Sequence, residues 1–152
     1  MVKETERIAD QIERAMGGEA WYGDGVEALL KDISAAQAAR RPISNAHTIW
    51  EILLHITVWV RIIGRRLHGE AADATPEEDW PVVTDTSEEA WRRAVEACRA
   101  AHRDLAAAVR QLPESRLAEE MTGHPPKIYI QLHGIVQHTL YHTGQISMLK
   151  KL

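Results

Sequence analysis

This chain has no phenylalanine, one cysteine and no long apolar run. With Cys98 alone, an intrachain disulfide is ruled out, and the expected compartment is a reducing cytoplasm. No stretch approaches the roughly 18 apolar residues of a membrane span, and residues 1–16 are too charged for a signal peptide. A membrane role is not expected. An excess of positive charge is also lacking: 18 Lys and Arg stand against 22 Asp and Glu, for a net charge of −4. Acids and bases are interleaved, so no basic footprint offers nucleic acid a binding surface. Internal repeats, low-complexity segments and strand-like alternation are missing too, which argues against solenoids and sheet-built folds. The absence of phenylalanine excludes nothing, and beside five tryptophans it has no evident physical reason.

What is present is helical. At 152 residues, with 45% apolar and 26% charged side chains, the chain is expected to form one soluble domain over 1–152 with a real core. A first helix is predicted over 3–16, with Ile8, Ile12, Ala15 and Met16 on one stripe and Gly17-Gly18 as its stop. A loop carrying Trp21 and Tyr22 follows, then a helical stretch over 26–33, then a connector over 34–44. Thr48-Ile49-Trp50-Glu51 has the form of a capping box and opens a long helix that Gly69 ends. Its core stripe is Ile49, Ile52, Leu53, Ile56, Val60, Ile63 and Leu67. A polar linker over 70–85 has Trp80 as its one large apolar anchor. Thr86-Ser87-Glu88-Glu89 reads as a second capping box. The helix it opens buries Trp91, Val95, Cys98, His102, Leu105, Val109 and Leu112. After an irregular connection over 114–124, Pro125-Pro126 marks the expected start of a final helix. That helix buries Ile128, Leu132, Ile135, Thr139, His142, Ile146 and Leu149. Four long helices of this kind predict an all-α four-helix bundle.

The chemistry concentrates in the last helix. His138 and His142 are four residues apart, which places two imidazoles one turn apart on a single helix face. Such a pair can share a divalent ion, and a third ligand must come from another element. His55, at the border of the core stripe on the other long apolar helix, is the best candidate, with Trp59 and Ile62 on the same side. The alternative is a histidine pair packed at a helix seam and satisfied by hydrogen bonds. His102 is the rival ligand, but its place on a core stripe suits a buried histidine bonded to a neighbour. His47 precedes a capping box, His68 precedes a terminal Gly, where a histidine suits the helix C-terminus, and His124 and His133 share no face with the pair. Glu51, one turn before His55, is a candidate catalytic group or simply a cap. Gln145, one turn after His142, can hold a water or substrate. Gly134, one turn before His138, clears space beside the site. Tyr141 reads as surface or a dimer contact, and Cys98 as inert packing. Leu54 and Val58 form a second apolar strip outside the core stripe, which suggests a partner surface.

Two stretches carry a resemblance. Ser44-Asn45-Ala46-His47-Thr48-Ile49-Trp50-Glu51-Ile52-Leu53-Leu54-His55-Ile56-Thr57-Val58-Trp59, followed by Arg66-Leu67-His68-Gly69, resembles the second helix of the DinB/YfiT-like family. Gly134-Ile135-Val136-Gln137-His138-Thr139-Leu140-Tyr141-His142-Thr143-Gly144-Gln145-Ile146 resembles its closing motif, and Trp21-Tyr22-Gly23 and Ala39-Arg40-Arg41-Pro42 fit as well. The resemblance implies an up-down bundle with unusual helix order. It implies one divalent metal ion per chain held by three histidines, which map onto His55, His138 and His142. It also implies that homodimers are common, and that some relatives are thiol-dependent S-transferases or isomerases while others are regarded as hydrolases. It implies no DNA binding.

Three neutral imidazoles leave a divalent ion's charge uncompensated and a coordination position open, the pattern of catalytic rather than structural zinc. Zinc is the default; nickel, iron and manganese are alternatives, because imidazole suits several of these ions. Such an ion acidifies a bound water or thiol. The expectation is a metal-dependent thiol transferase or hydrolase acting on a small electrophile. The competing expectation is a non-catalytic dimer with a structural or vestigial metal.

Overall fold

The computed structural model describes residues 2–18 and 20–152. Among them are seven α-helices: α1 (Glu4–Met16), α2 (Val26–Leu30), α3 (Ala35–Ala39), α4 (Ile49–Leu67), α5 (Pro76–Asp79), α6 (Glu88–Gln111) and α7 (Ile128–Leu149). The four long ones, α1, α4, α6 and α7, make the bundle. Both α6 and α7 pack against α1 and α4. The predicted stripes are the buried ones: every expected core residue of α1, α4 and α7 lies inside. On α6 only Val95 departs, remaining half-buried. Ile8, Ile12, Leu53, Ile56, Val60, Val109, Leu132 and Ile146 join in one cluster. At roughly 1.5–3 kcal/mol for each fully buried Val, Leu or Ile side chain, that cluster is the main force holding the bundle.

Salt bridges clamp the outside of the α1–α6 seam. The Arg110 guanidinium grips both Glu13 carboxylate oxygens at 2.7 Å and reaches Glu6 at 3.0 Å. At the end of α4, Gly69 takes φ +90°, and the amides of Gly69 and Glu70 return to the carbonyls of Arg66 and Arg65. A side chain disfavours that left-handed turn, so glycine stops the helix there.

Several connections hold more structure than the sequence predicts. The helix expected over 26–33 ends at Leu30, although Ile33 is still buried. The 34–44 connector contains α3, opened by a Ser34/Gln37 capping box. The 70–85 linker contains α5, opened by a Thr75/Glu78 box with Pro76 in its first turn. The cap of α6 is Ser87, which accepts from the Ala90 amide; the expected Thr86/Glu89 box does not form, and Glu89 pairs with Arg93 instead. Residues 114–124 hold a short 3-10 helix and the first strand of a hairpin, β1 (Glu120–Met121) with β2 (His124–Lys127). Pro125 and Pro126 therefore lie in a strand, and α7 begins at Ile128. The Ile128 amide bonds the Glu119 carbonyl at 2.8 Å, and buried Met121 anchors the hairpin to the core.

Candidate metal centre

The long helices α4 and α7 pack side by side, and this brings His55 to His138 and His142. One nitrogen from each ring can be chosen so that all three lie within 4.8 Å of one another, and the trio can hold a metal ion. The Nε2 atoms of His55 and His138 are 2.9 Å apart. Ligand atoms of a tetrahedral zinc site stand about 3.3 Å apart, so small side-chain adjustments suffice for the set to fit an ion.

The outer hydrogen bonds decide which nitrogen is offered. Nδ1 of His55 lies 2.8 Å from the Asp79 carbonyl oxygen and 3.0 Å from its carboxylate. Both are acceptors, so Nδ1 carries the hydrogen and Nε2 presents a lone pair. Nδ1 of His142 donates to Gln145 Oε1 at 2.6 Å, with the same result. His138 Nδ1 is buried and has no partner among the described residues. Two of the three rings are thus fixed in the tautomer that a metal on Nε2 requires. Burial, reinforced by the neighbouring His142 and His55 rings, pushes the His138 pKa down to about 4. Burial lowers His142 as well, against the opposing pull of Gln145. Neutral imidazoles near pH 7 are the form that ligates.

Tryptophans frame the trio. Trp80 lies between two imidazoles, stacked on His55 at 3.9 Å and on His47 at 3.5 Å. The Trp59 indole donates to the Asp79 carboxylate at 2.6 Å. A cleft of about 670 Å³ opens on the His142 side, lined by Ile43, Ile52, Trp80, Tyr141, Gln145 and Met148 among others. A smaller one of about 250 Å³ opens on the His138 side, between Trp59, Arg66, Gln131 and Gly134.

Other histidines fall where their sequence positions suggested. His102 is buried, with Nδ1 donating to the Cys98 carbonyl at 2.9 Å and Nε2 3.4 Å from Thr139 Oγ1. Burial lowers its pKa, against that carbonyl. His68 bonds the Gly64 carbonyl, His124 bonds that of Ala72, and His133 packs on Tyr129. Glu51 closes the α4 capping box, accepting from the Thr48 amide at 2.8 Å and from Arg41 at 2.6 Å. Burial works against its charge, but the Thr48 amide and Arg41 hold its carboxyl below the ordinary range. Gln145 is the orienting partner of His142. Cys98 is buried, and burial raises its thiol to about 11, far from a nucleophile's range.

Sequence reasoning missed Asp79, and it saw Trp80 only as an anchor. The Thr75-Pro76-Glu77-Glu78 pattern, a capping box with proline at N1, was the available signal that the linker folds here.

The long helices of this bundle converge three imidazoles beside open clefts, a donor set that can hold a metal ion. The family model of the DinB superfamily matches residues 22–146, a span that includes all three histidines. The chain belongs to the DinB superfamily. No curated protein and no solved structure matches it. No helix among the described residues is long and apolar enough to cross a membrane.

Proposed function

We propose that this protein is a metal-dependent transferase that joins a small thiol to an electrophilic small molecule. The observation that carries this reading is the set of three convergent imidazoles, two of them fixed with Nε2 free, with clefts at both His138 and His142. A structural site needs no such access, whereas a two-substrate reaction needs room on both sides. A divalent ion held by His55, His138 and His142 would supply Lewis acidity, under which a thiol gives up its proton to solvent near neutral pH.

The chain's own residues do the rest. Asp79 holds His55 in its ligating tautomer, and Gln145 does the same for His142. The larger cleft, walled by Ile43, Ile52, Trp80 and Met148, offers an apolar surface to an electrophile. Glu51, paired with Arg41 and 3.6 Å from His47, acts through His47 at the rim of that cleft. It lends negative charge beside a ring held by its stack on Trp80 and does not touch the reacting atoms.

The test begins with elemental analysis, which should give about one zinc per chain, lost in His138→Ala. X-ray absorption with added thiol should then show a sulfur neighbour at about 2.3 Å, and His55→Ala should abolish turnover. A zinc environment that no thiol changes, together with hydrolysis of activated esters, would replace this reading with that of a hydrolase. Full metal content in His138→Ala would show that the ligands lie elsewhere.

A further inference from the structure

The smaller cleft contains a charge that the metal site does not use. Arg66 is 7% exposed, whereas its α4 neighbours Arg61 and Arg65 face solvent. A buried guanidinium is costly unless it is fully paired. Two of its partners are neutral: Nε donates to the Ala72 carbonyl at 2.7 Å, and Nη1 donates to Gln131 Oε1 at 3.0 Å. Its one carboxylate partner among the described residues is Asp73, at 3.3 Å, with a side chain that is 63% exposed and mostly in water. Burial lowers the Arg66 pKa, and Asp73 only partly offsets this. These bonds occupy three of the five guanidinium N–H groups and leave one on each terminal nitrogen. Such a planar fork matches a carboxylate.

The cleft that exposes Arg66 at one end reaches His138 at the other. Between them the walls are apolar, formed by Trp59, Ile63 and Ile135, and at Gly134 no atom beyond its chain neighbours and the backbone of α7 stands within 4 Å of where a Cβ would be. From Gln131 to His138 is two turns of α7, about 10 Å. We infer that this cleft is a carboxylate-binding subsite: Arg66, its guanidinium steadied by Gln131 Oε1, holds the anionic end of a short ω-substituted acid, whose far end reaches the three histidines. That the far end is a thiol rests on the function proposed above; the carboxylate end does not.

Arg66 also ties α4 to residues 72–73, so its removal can unfold the chain. Gly134→Leu, which fills the cleft and leaves Arg66 and the histidines in place, is the sharper variant. Calorimetry on the zinc-loaded protein would compare 6-mercaptohexanoate with 6-mercapto-1-hexanol. The acid should bind at least about tenfold tighter, equivalent to about 1.4 kcal/mol. In Gly134→Leu that advantage should vanish while zinc content is retained. Equal binding of acid and alcohol by the wild type, or an advantage that survives Gly134→Leu, would overturn the subsite. Metal-free protein separates the two ideas. Hexanoate should shift the Arg66 Nε–H resonance in the wild type but not in Gly134→Leu, whether or not zinc binds. If zinc fails to bind and this shift persists, the metal reading falls and the subsite stands.

Discussion

His138 differs from its two companions in the treatment of its second nitrogen. Asp79 and Gln145 hold the Nδ1 atoms of His55 and His142, while that of His138 is buried without a partner among the described residues. Residue by residue, the site's precision therefore rests on Asp79 more than on any group the sequence singled out, since its carboxylate serves both His55 and Trp59. Asp79→Ala keeps the carbonyl contact but removes the carboxylate, and zinc affinity should fall about 10- to 100-fold. Competition with a chromophoric chelator measures this; an unchanged affinity would reduce Asp79 to a packing residue. The lowered histidines also predict a pH effect in metal-free protein. In the unfolded chain these imidazoles take up protons near the ordinary value of 6.5, whereas folded His138 resists until about 4. His142 and His102 are shifted in the same direction. The unfolded state thus binds more protons in that interval, and stability falls as pH drops from about 6.5 toward 4. Above the upper limit these groups add no pH dependence. Urea midpoints at pH 7.5 and 5 should differ, with the lower value at pH 5. A flat profile would mean that these rings titrate normally in the fold.

The capping box of α4 is the element-scale feature on which His55 depends most directly. Thr48 accepts from the Glu51 amide while Glu51 accepts from the Thr48 amide, which sets where the helix starts and hence the height of His55 along it. Thr48→Ala should cost about 1 kcal/mol by denaturant unfolding. Within α7, Gly134 has an ordinary helical backbone and open space where a Cβ would stand. Alanine there should stabilise the helix by about 0.5–1 kcal/mol and leave zinc content unchanged. A loss of stability would show that close packing, rather than access, is what glycine provides. The short α5 follows the same logic as α4: it is an element only because Thr75 and Glu78 cap it, and its last residue is Asp79.

At the scale of the whole molecule, the three histidines that can hold a metal ion come from two helices, α4 and α7, while α1 and α6 form the opposite wall. We propose that two such molecules form a closed homodimer. The apolar strip behind this expectation is partly covered within the chain: Leu54 and Val58 are half-buried, and Leu54 packs against the core. Val58 is therefore the better contact to test. Sedimentation at micromolar concentration should give twice the 17.1 kDa chain mass, and Val58→Glu should reduce it to one. A monomeric wild type would reject the dimer.

The long helices, their buried faces and the histidine trio were legible because each rests on local periodicity. Apolar residues at helical spacing must find a common core, and His138 and His142 share a face wherever an α-helix forms. His55 could be matched to them because it borders the core stripe of α4 and because the motif around it resembled a known family. Packing alone decided the rest. Asp79 lies 24 residues from His55, Trp80 separates His47 from His55, and Arg66 meets Gln131 across 65 residues of chain. The sequence determined which faces must be buried and which residues could ligate. Gln145 already stood one turn from His142 on α7, but only the tertiary structure determined which hydrogen bond selects the His55 tautomer, because Asp79 comes from a connection whose polar residues carry no periodic signal.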